Sequence, residues 1–291
     1  MGHVYYHYPG DKQFSLDFVN SDPTEVVSHI VEYDDDVAVK MSQYNLDEEF
    51  YAVYTSRVGG GAVKDLDFSL TDALERMDPD TGVIVTRLLE IYRGILEQNE
   101  SEEGIPVEAY KDIDIDAFPD ALDEVSWEGS PTDVAGRLAS NLILKHALPN
   151  ANHRTAVAMI QFYLRRINPD FSMPETAVEV EPEEYDWREW VNEYINESKR
   201  LLTVRRKNVI FKHLREFGAT TLERKHEVMI DLTEYELDMY PHEAKGKYAQ
   251  EHEQLWIEFV EEAVERTGYP EMKTAAALSK AEFAERIRQL D

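Results

Sequence analysis

Two stretches of helical periodicity, separated by a short polar segment, constrain the fold of this chain more than any other feature. The first covers residues 132–145 and the second residues 156–169, where Pro169 ends the pattern. Both repeat apolar residues every three or four positions, as helices with one buried face do. The apolar positions are Val134, Leu138, Ala139, Leu142, Ile143, Ala156, Ile160, Tyr163, Leu164 and Ile167. The sequence therefore predicts two buried helices joined by a loop.

The loop between these helices combines groups suited to binding an anion and moving a proton. We expect Asn152 to cap the second helix. The backbone N–H groups of His153, Arg154 and Thr155 would then face outward at the positive end of the helix dipole. The guanidinium of Arg154 suits bidentate contact with phosphate, and His146 is a base that titrates near neutral pH. This combination predicts phosphoryl or nucleotidyl transfer.

The loop sequence resembles the signature of the Fic/Doc family, H-x-F-x-[D/E]-[G/A]-N-[G/K]-R. Here it reads H-A-L-P-N-A-N-H-R and continues with Thr155, as in the Doc branch. By this resemblance His146 takes the place of the family's general base, and Leu148 that of its core-packing Phe. Asn152 and Arg154 stand at the family's phosphate-contacting positions.

The resemblance covers residues 132–168, and departures from the signature refine what it implies. Ala151 matches Doc-like members, and Val157 stands where the adenylylating branch has a further Arg. Asn150 replaces the acidic residue that holds Mg²⁺ in the family. A neutral amide offers that cation one oxygen without the charge, so we expect weakened Mg²⁺ binding. His153 replaces a Gly or Lys and can still donate one hydrogen bond to phosphate.

The periodic stretches predict a mainly α fold with a small β-containing N-terminal region, and the resemblance implies that the helical core is Fic-like. It also implies a transferase that moves phosphate or AMP from ATP to the hydroxyl of a protein substrate. We expect a toxin of a toxin-antitoxin or defence system, with an antitoxin as partner and a translation factor as target.

The whole chain is expected to divide into three segments. Residues 1–70 contain β-branched and aromatic runs that predict strands, and the glycines at 59–61 predict a turn. Residues 71–217 hold the Fic/Doc-like core, and residues 218–291 are expected to form a helical extension. The strand-like runs are residues 4–8, 36–40 and 50–55.

Residues 199–215 oppose the acidic character of the chain, because they contain seven basic residues and no acidic one. Three interpretations stay open at this point. The segment is a wall of the nucleotide site, a face for an acidic antitoxin or RNA, or an ion-pair partner for acidic segments of the same chain.

The composition limits the classes of function. With no Cys and no G-x-S-x-G elbow, the chain lacks a thiol nucleophile, thiolate metal sites and the motif of serine hydrolases. No apolar run reaches about 18 residues, so we expect neither a membrane span nor a secretory leader. A net charge of −29 opposes nucleic-acid binding and suits a salt-rich cytoplasm, where molar salt shortens the screening length to about 3 Å.

Two rival functions remain. Because Asn150 removes the metal carboxylate, the protein could be a catalytically weakened Fic-fold binding or regulatory module. It could instead bind RNA through residues 199–215. The loop could also be purely structural, with Asn150 in a left-handed conformation and His146 capping a helix C-terminus.

Overall fold

The computed structural model describes residues 2–57, 71–104, 109, 111–173 and 182–290. In chain order the elements are β1 (His3–Tyr5), β2 (Ser15–Asn20), α1 (Pro23–Val31), β3 (Val37–Asn45), β4 (Glu49–Arg57), α2 (Thr71–Leu74), α3 (Pro79–Glu103), α4 (Ala117–Asp123), α5 (Pro131–Lys145), α6 (Asn152–Ile167), α7 (Pro182–Glu216), β5 (Thr221–Glu223), β6 (Met229–Asp231), α8 (Pro241–Arg266) and α9 (Lys280–Arg288). The fold is mainly α with small sheets, as predicted.

The chain packs into two compact units, each built from two separate stretches. The sheet-containing unit comprises Met1–Gly59 and Asn196–Gln250, and the helical unit comprises Gly60–Ile195 and Glu251–Asp291. The predicted segments 71–217 and 218–291 therefore each contribute residues to both units.

The sheet-containing unit holds two three-stranded sheets. In one, β4 lies between β2 and β3 with antiparallel pairing throughout. In the other, β5 pairs in parallel with β1 and antiparallel with β6. The predicted strand-like runs correspond to β1, β3 and β4. The predicted turn at 59–61 lies outside the described residues.

Residues 218–291 are not helical throughout, because β5 and β6 lie within them. Each of these strands has three residues, too few to display the alternation by which a strand is recognised in sequence. β5 is positioned by its pairing with β1, at the opposite end of the chain.

The basic segment lies on α7, whose backbone leaves the helical conformation at Lys207 (φ −118°, ψ 20°). Four of its cations are paired with carboxylates of the sheet-containing unit. The pairs join Lys207 to Asp17 (2.7 Å), Lys212 to Asp238 (3.1 Å), Arg215 to Asp238 (2.8 Å) and Arg200 to Glu197 (2.8 Å). The ion-pair interpretation is confirmed for these four residues.

The helical unit is organised around α5 and α6, which pack against each other. Pro131 occupies the first turn of α5, where its missing N–H has no cost. Ser130 caps the same end: its hydroxyl accepts from the backbone N–H of Asp133, and the Asp133 carboxylate accepts from the backbone N–H of Ser130. α4 packs against α5, and α3 packs against α6 and α9. These contacts position α5 and α6, which flank the predicted site.

Candidate functional site

His146 ends α5 in the left-handed conformation (φ 51°, ψ 44°). Its backbone N–H donates to the carbonyl of Leu142 (3.2 Å), and its own carbonyl accepts from the ammonium of Lys111. His146 therefore caps the C-terminus of α5, as expected if the loop is purely structural. Left-handed backbone costs a residue with a Cβ about 1–2 kcal/mol, so the surrounding bonds must hold His146 there.

Asn152 does not cap α6, contrary to the prediction. The capping position is occupied by Ala151 (φ 50°, ψ 21°), and Asn152 is the first helical residue. The loop folds back so that the buried Asn152 amide accepts from the N–H of Leu148 (3.2 Å) and donates to its carbonyl (3.0 Å). Asn152 thus fixes the shape of the loop. The start of α6 carries no side-chain cap.

Asn150 faces the interior of the helical unit. Its side-chain oxygen accepts a hydrogen bond from the hydroxyl of Tyr92 on α3 (2.9 Å), and both residues are buried. Burial raises the pKa of that hydroxyl, which therefore remains a donor. The left-handed residue of this part of the loop is Ala151 rather than Asn150.

The donor set around Asn150 does not fit Mg²⁺. This cation prefers several hard oxygen ligands, carboxylates foremost. Asn150 offers one neutral oxygen that already accepts from Tyr92. Within the ranges that the structure describes, no three His, Asp or Glu side chains gather so that they could hold a metal ion.

Arg154 is the exposed charge of the loop. Its guanidinium donates to the side-chain oxygen of Asn99 on α3 (2.7 Å), a neutral partner that is itself buried. His153, beside it, is half-buried, and its ring centre lies 6.2 Å from that of Trp256. Arg154 therefore combines a fixed orientation with a positive charge that Asn99 does not neutralise.

Thr155 does not face outward as expected. Its backbone N–H and its hydroxyl both donate to the carbonyl of Ala151 (2.9 and 3.0 Å), and the residue is buried. Helix geometry explains this bond, because the N–H four residues after the cap is the first that has an acceptor inside the helix. Of the four predicted phosphate contacts, Arg154 and the N–H groups of the first turn keep a geometry suited to an external anion.

The cavity beneath the loop is too small for a nucleotide. It measures about 10 Å³, room for one water molecule. Its walls include Leu88, Phe118, Leu142 and Leu148. Leu148 packs in the core, as its correspondence to the family's Phe predicts. This cavity does not admit a nucleotide, whereas Arg154 is exposed to solvent.

A buried Ser–His pair in the helical unit is structural. The hydroxyl of Ser140 lies 2.8 Å from Nδ1 of His252, and the indole N–H of Trp256 donates to Nε2 of the same ring (3.2 Å). Nε2 is thus an acceptor, which places the ring proton on Nδ1 and leaves the Ser140 hydroxyl as an acceptor rather than an activated nucleophile. All three side chains are sealed from solvent. The pair links α5 to α8.

Sequence reasoning missed the partners that orient the loop. Tyr92 and Asn99 on α3 were not among the predicted site residues. No local signal connects them to residues 150 and 154, because the contacts span 58 and 55 positions. A polar residue within a core stripe, such as Tyr92, is the one available hint, since a buried hydroxyl requires a partner.

None of the helices in the described part of the chain is long and apolar enough to cross a membrane.

Comparison with known proteins identifies a family. Searches of curated proteins and of solved structures gave no match. A family model described as "Family of unknown function (DUF8172)" matches residues 1–291. Because this match covers the chain from end to end, the protein belongs to the DUF8172 family.

Proposed function

We propose that this protein is a Fic/Doc-like transferase that moves phosphate or AMP from ATP to a protein hydroxyl. The observation that best supports this proposal concerns Arg154, in the uncapped first turn of α6. Its guanidinium is exposed and its hydrogen-bond partner is neutral. In a chain with 59 acidic and 30 basic residues, a cation bonded to an amide is available to an anionic ligand. A helix N-terminus and a guanidinium together suit the phosphates of a nucleotide.

The proposed chemistry uses both ends of the loop. The substrate hydroxyl oxygen attacks the γ- or α-phosphorus of ATP, and the bond from that phosphorus to the bridging oxygen breaks. ADP or pyrophosphate leaves, and the hydroxyl proton passes to the imidazole of His146 as general base. Arg154 and the N–H groups at the start of α6 stabilise the negative charge of the phosphates.

This proposal routes no step through Mg²⁺, because Asn150 is a poor ligand for it. Charge neutralisation falls to Arg154 and to the dipole of α6. The proposal includes a cytoplasmic toxin that acts on a translation factor and is held by an antitoxin, an assignment that rests on the signature resemblance.

Incubation of the protein with ATP labelled on the γ- or the α-phosphate, in cell extract and molar KCl, tests the proposal. Transfer from the γ position alone identifies a kinase, and transfer from the α position identifies AMP transfer. Saturable ATP binding with transfer from neither position would favour the regulatory module.

Two variants separate the roles within the loop. His146→Ala should reduce transfer by about 10²–10⁴-fold and leave ATP affinity unchanged, because a general base acts on the chemical step. Arg154→Ala should weaken ATP binding by about 1.5–3 kcal/mol, the range for hydrogen bonds to charged groups. Arg165→Ala, an exposed arginine at the other end of α6, is the matched control. Equal losses in Arg154→Ala and Arg165→Ala would refute a specific phosphate contact.

A further inference from the structure

A second group of cations lies within the sheet-containing unit. Lys199 and Arg206 stand on α7, seven residues and about two turns apart, so they share one face of the helix. Arg224 follows β5, and its guanidinium donates to the backbone carbonyl of Lys199 (2.9 Å). The same guanidinium lies 5.6 Å from the ring centre of Tyr6. We call Lys199, Arg206 and Arg224 the Arg224 cluster.

Lys199 and Arg224 are partly buried beside each other, and Arg206 is exposed to solvent. Burial lowers the pKa of Arg224, and the charge of Arg206 lowers it further, while Tyr6 acts in the opposite direction. Burial likewise lowers the pKa of Lys199, and Arg224 and Lys225 add to that effect. Desolvation and like charge both oppose the ionised forms of Lys199 and Arg224, so the arrangement is costly without an anion.

Carboxylates do not balance these charges. Among the residues that the structure describes, no Asp or Glu forms an ion pair with Lys199, Arg206 or Arg224, and Nε of Arg224 is buried without a hydrogen-bond partner. The acids nearest in sequence are engaged elsewhere. Glu197 pairs with Arg200 (2.8 Å) and Glu223 with His3 (3.4 Å).

The lack of carboxylate partners distinguishes this cluster from other cations of α7. Four other cations of the same basic segment each have a carboxylate within 3.1 Å. Although the chain has 59 acidic residues, these three neighbouring cations have no carboxylate partner within the described ranges, and one of them has a buried N–H without an acceptor. Buried polar groups normally have partners, so an unused donor beside other cations points to a ligand.

We propose that the Arg224 cluster binds the phosphate group of a small phosphorylated molecule. Nε and the second terminal nitrogen of Arg224 offer the fork that phosphate oxygens accept bidentately. Lys199 and Arg206 add charge for a dianion, whereas a halide would neutralise only one of the three cations. The Tyr6 hydroxyl, with no hydrogen-bond partner in the described ranges, supplies a further donor close to Arg224. This inference is independent of the function proposed for the loop.

Calorimetric titration of the full chain, at constant KCl concentration, tests the site with inorganic phosphate and with glycerol 3-phosphate. Saturable binding of inorganic phosphate alone identifies a free-phosphate site, and tighter binding of glycerol 3-phosphate identifies a phosphate-ester site. Arg206→Gln and Lys199→Met should each weaken the affinity about tenfold or more, the effect of losing a charge-assisted hydrogen bond. Arg206 is exposed and holds no hydrogen bond in the described structure, so Arg206→Gln should fold normally.

Two matched controls exclude other sources of binding. Lys212→Met removes one charge from the same helix where it is paired with Asp238, and it should leave the affinity unchanged. Arg154→Ala removes the candidate nucleotide contact of the helical unit and should also have no effect. Lys199→Met should raise the unfolding temperature without ligand, because it removes a buried repulsion.

The proposal fails if neither probe binds saturably, or if all variants bind equally. Loss of binding in Arg154→Ala with retention in Arg206→Gln would assign the phosphate to the loop instead. Displacement of phosphate by chloride at equal concentration would indicate a halide site. Retention of single-stranded RNA without saturable binding of either probe would likewise overturn the proposal, in favour of a nucleic-acid surface.

Discussion

At the scale of single residues, two left-handed positions define the loop. His146 and Ala151 both adopt positive φ, at 51° and 50°, although neither is Gly. Such backbone is retained at a cost, and strained non-Gly residues concentrate at functional sites. For Ala151 the side chain adds no chemistry, whereas for His146 it supplies the proposed base. The two positions therefore permit a test that separates strain from chemistry.

Ala151→Gly and His146→Gly should both increase the free energy of unfolding, by roughly 0.5–1 kcal/mol, because Gly adopts positive φ without a steric penalty. Only His146→Gly should reduce phosphate or AMP transfer, by about 10²–10⁴-fold, because it removes the proposed general base. Urea denaturation in molar KCl measures the first effect, and the labelling assay measures the second. A fall in stability for Ala151→Gly would mean that the methyl group contributes packing that outweighs the strain.

Some features of the loop and its flanking helices could be predicted from sequence, and others could not. The start of α5 and the end of α6 could be predicted, because Pro131 precedes the first apolar stripe and Pro169 ends the second. The role of Asn152 could not, because its preference for a cap is local while its actual partner, Leu148, becomes available only when the loop folds back. For Asn152, the hydrogen bonds to Leu148 outweigh the general preference of Asn for the capping position.

At the scale of elements, helix faces were predictable and long-range pairing was not. The buried stripes of α5 and α6 follow from periodicity alone. The sheet of β1, β5 and β6 joins residues more than two hundred positions apart, through three-residue strands. No local pattern encodes such a partnership. Close approach between helices is equally invisible in sequence, and Gly136 is an example.

Gly136→Ala should destabilise the helical unit by about 1–3 kcal/mol, the usual cost of overpacking a core. A Cβ on this α5 residue would lie 2.6 Å from the backbone N and Cα of Ile257, and backbone atoms cannot rotate away. Gly94→Ala is the control, since a Cβ there has no neighbour within 4 Å. Gly94 lies within α3, so that change should instead stabilise by roughly 0.5–1 kcal/mol. Urea midpoints of the two variants should move in opposite directions.

At the scale of the whole molecule, net charge dominates. The chain carries −29, and the ion pairs of its basic segment neutralise only a small part of 59 acidic side chains. Self-repulsion of that size opposes the compact state when salt is low. At molar salt the screening length falls to about 3 Å, which suppresses repulsion between separated carboxylates more than attraction within contacting pairs.

The unfolding temperature should therefore rise by several degrees between 0.2 and 3 M KCl, although every surface ion pair weakens over the same range. For a chain of this size, several degrees correspond to a few kcal/mol. Excluded cosolutes also stabilise proteins without screening charge, so sucrose is the necessary control. If charge repulsion limits stability, KCl should stabilise strongly at low concentration, where screening changes fastest, and sucrose should act in proportion to its concentration. Indistinguishable curves for the two cosolutes would assign the salt response to exclusion and remove the link between net charge and a salt-rich cytoplasm.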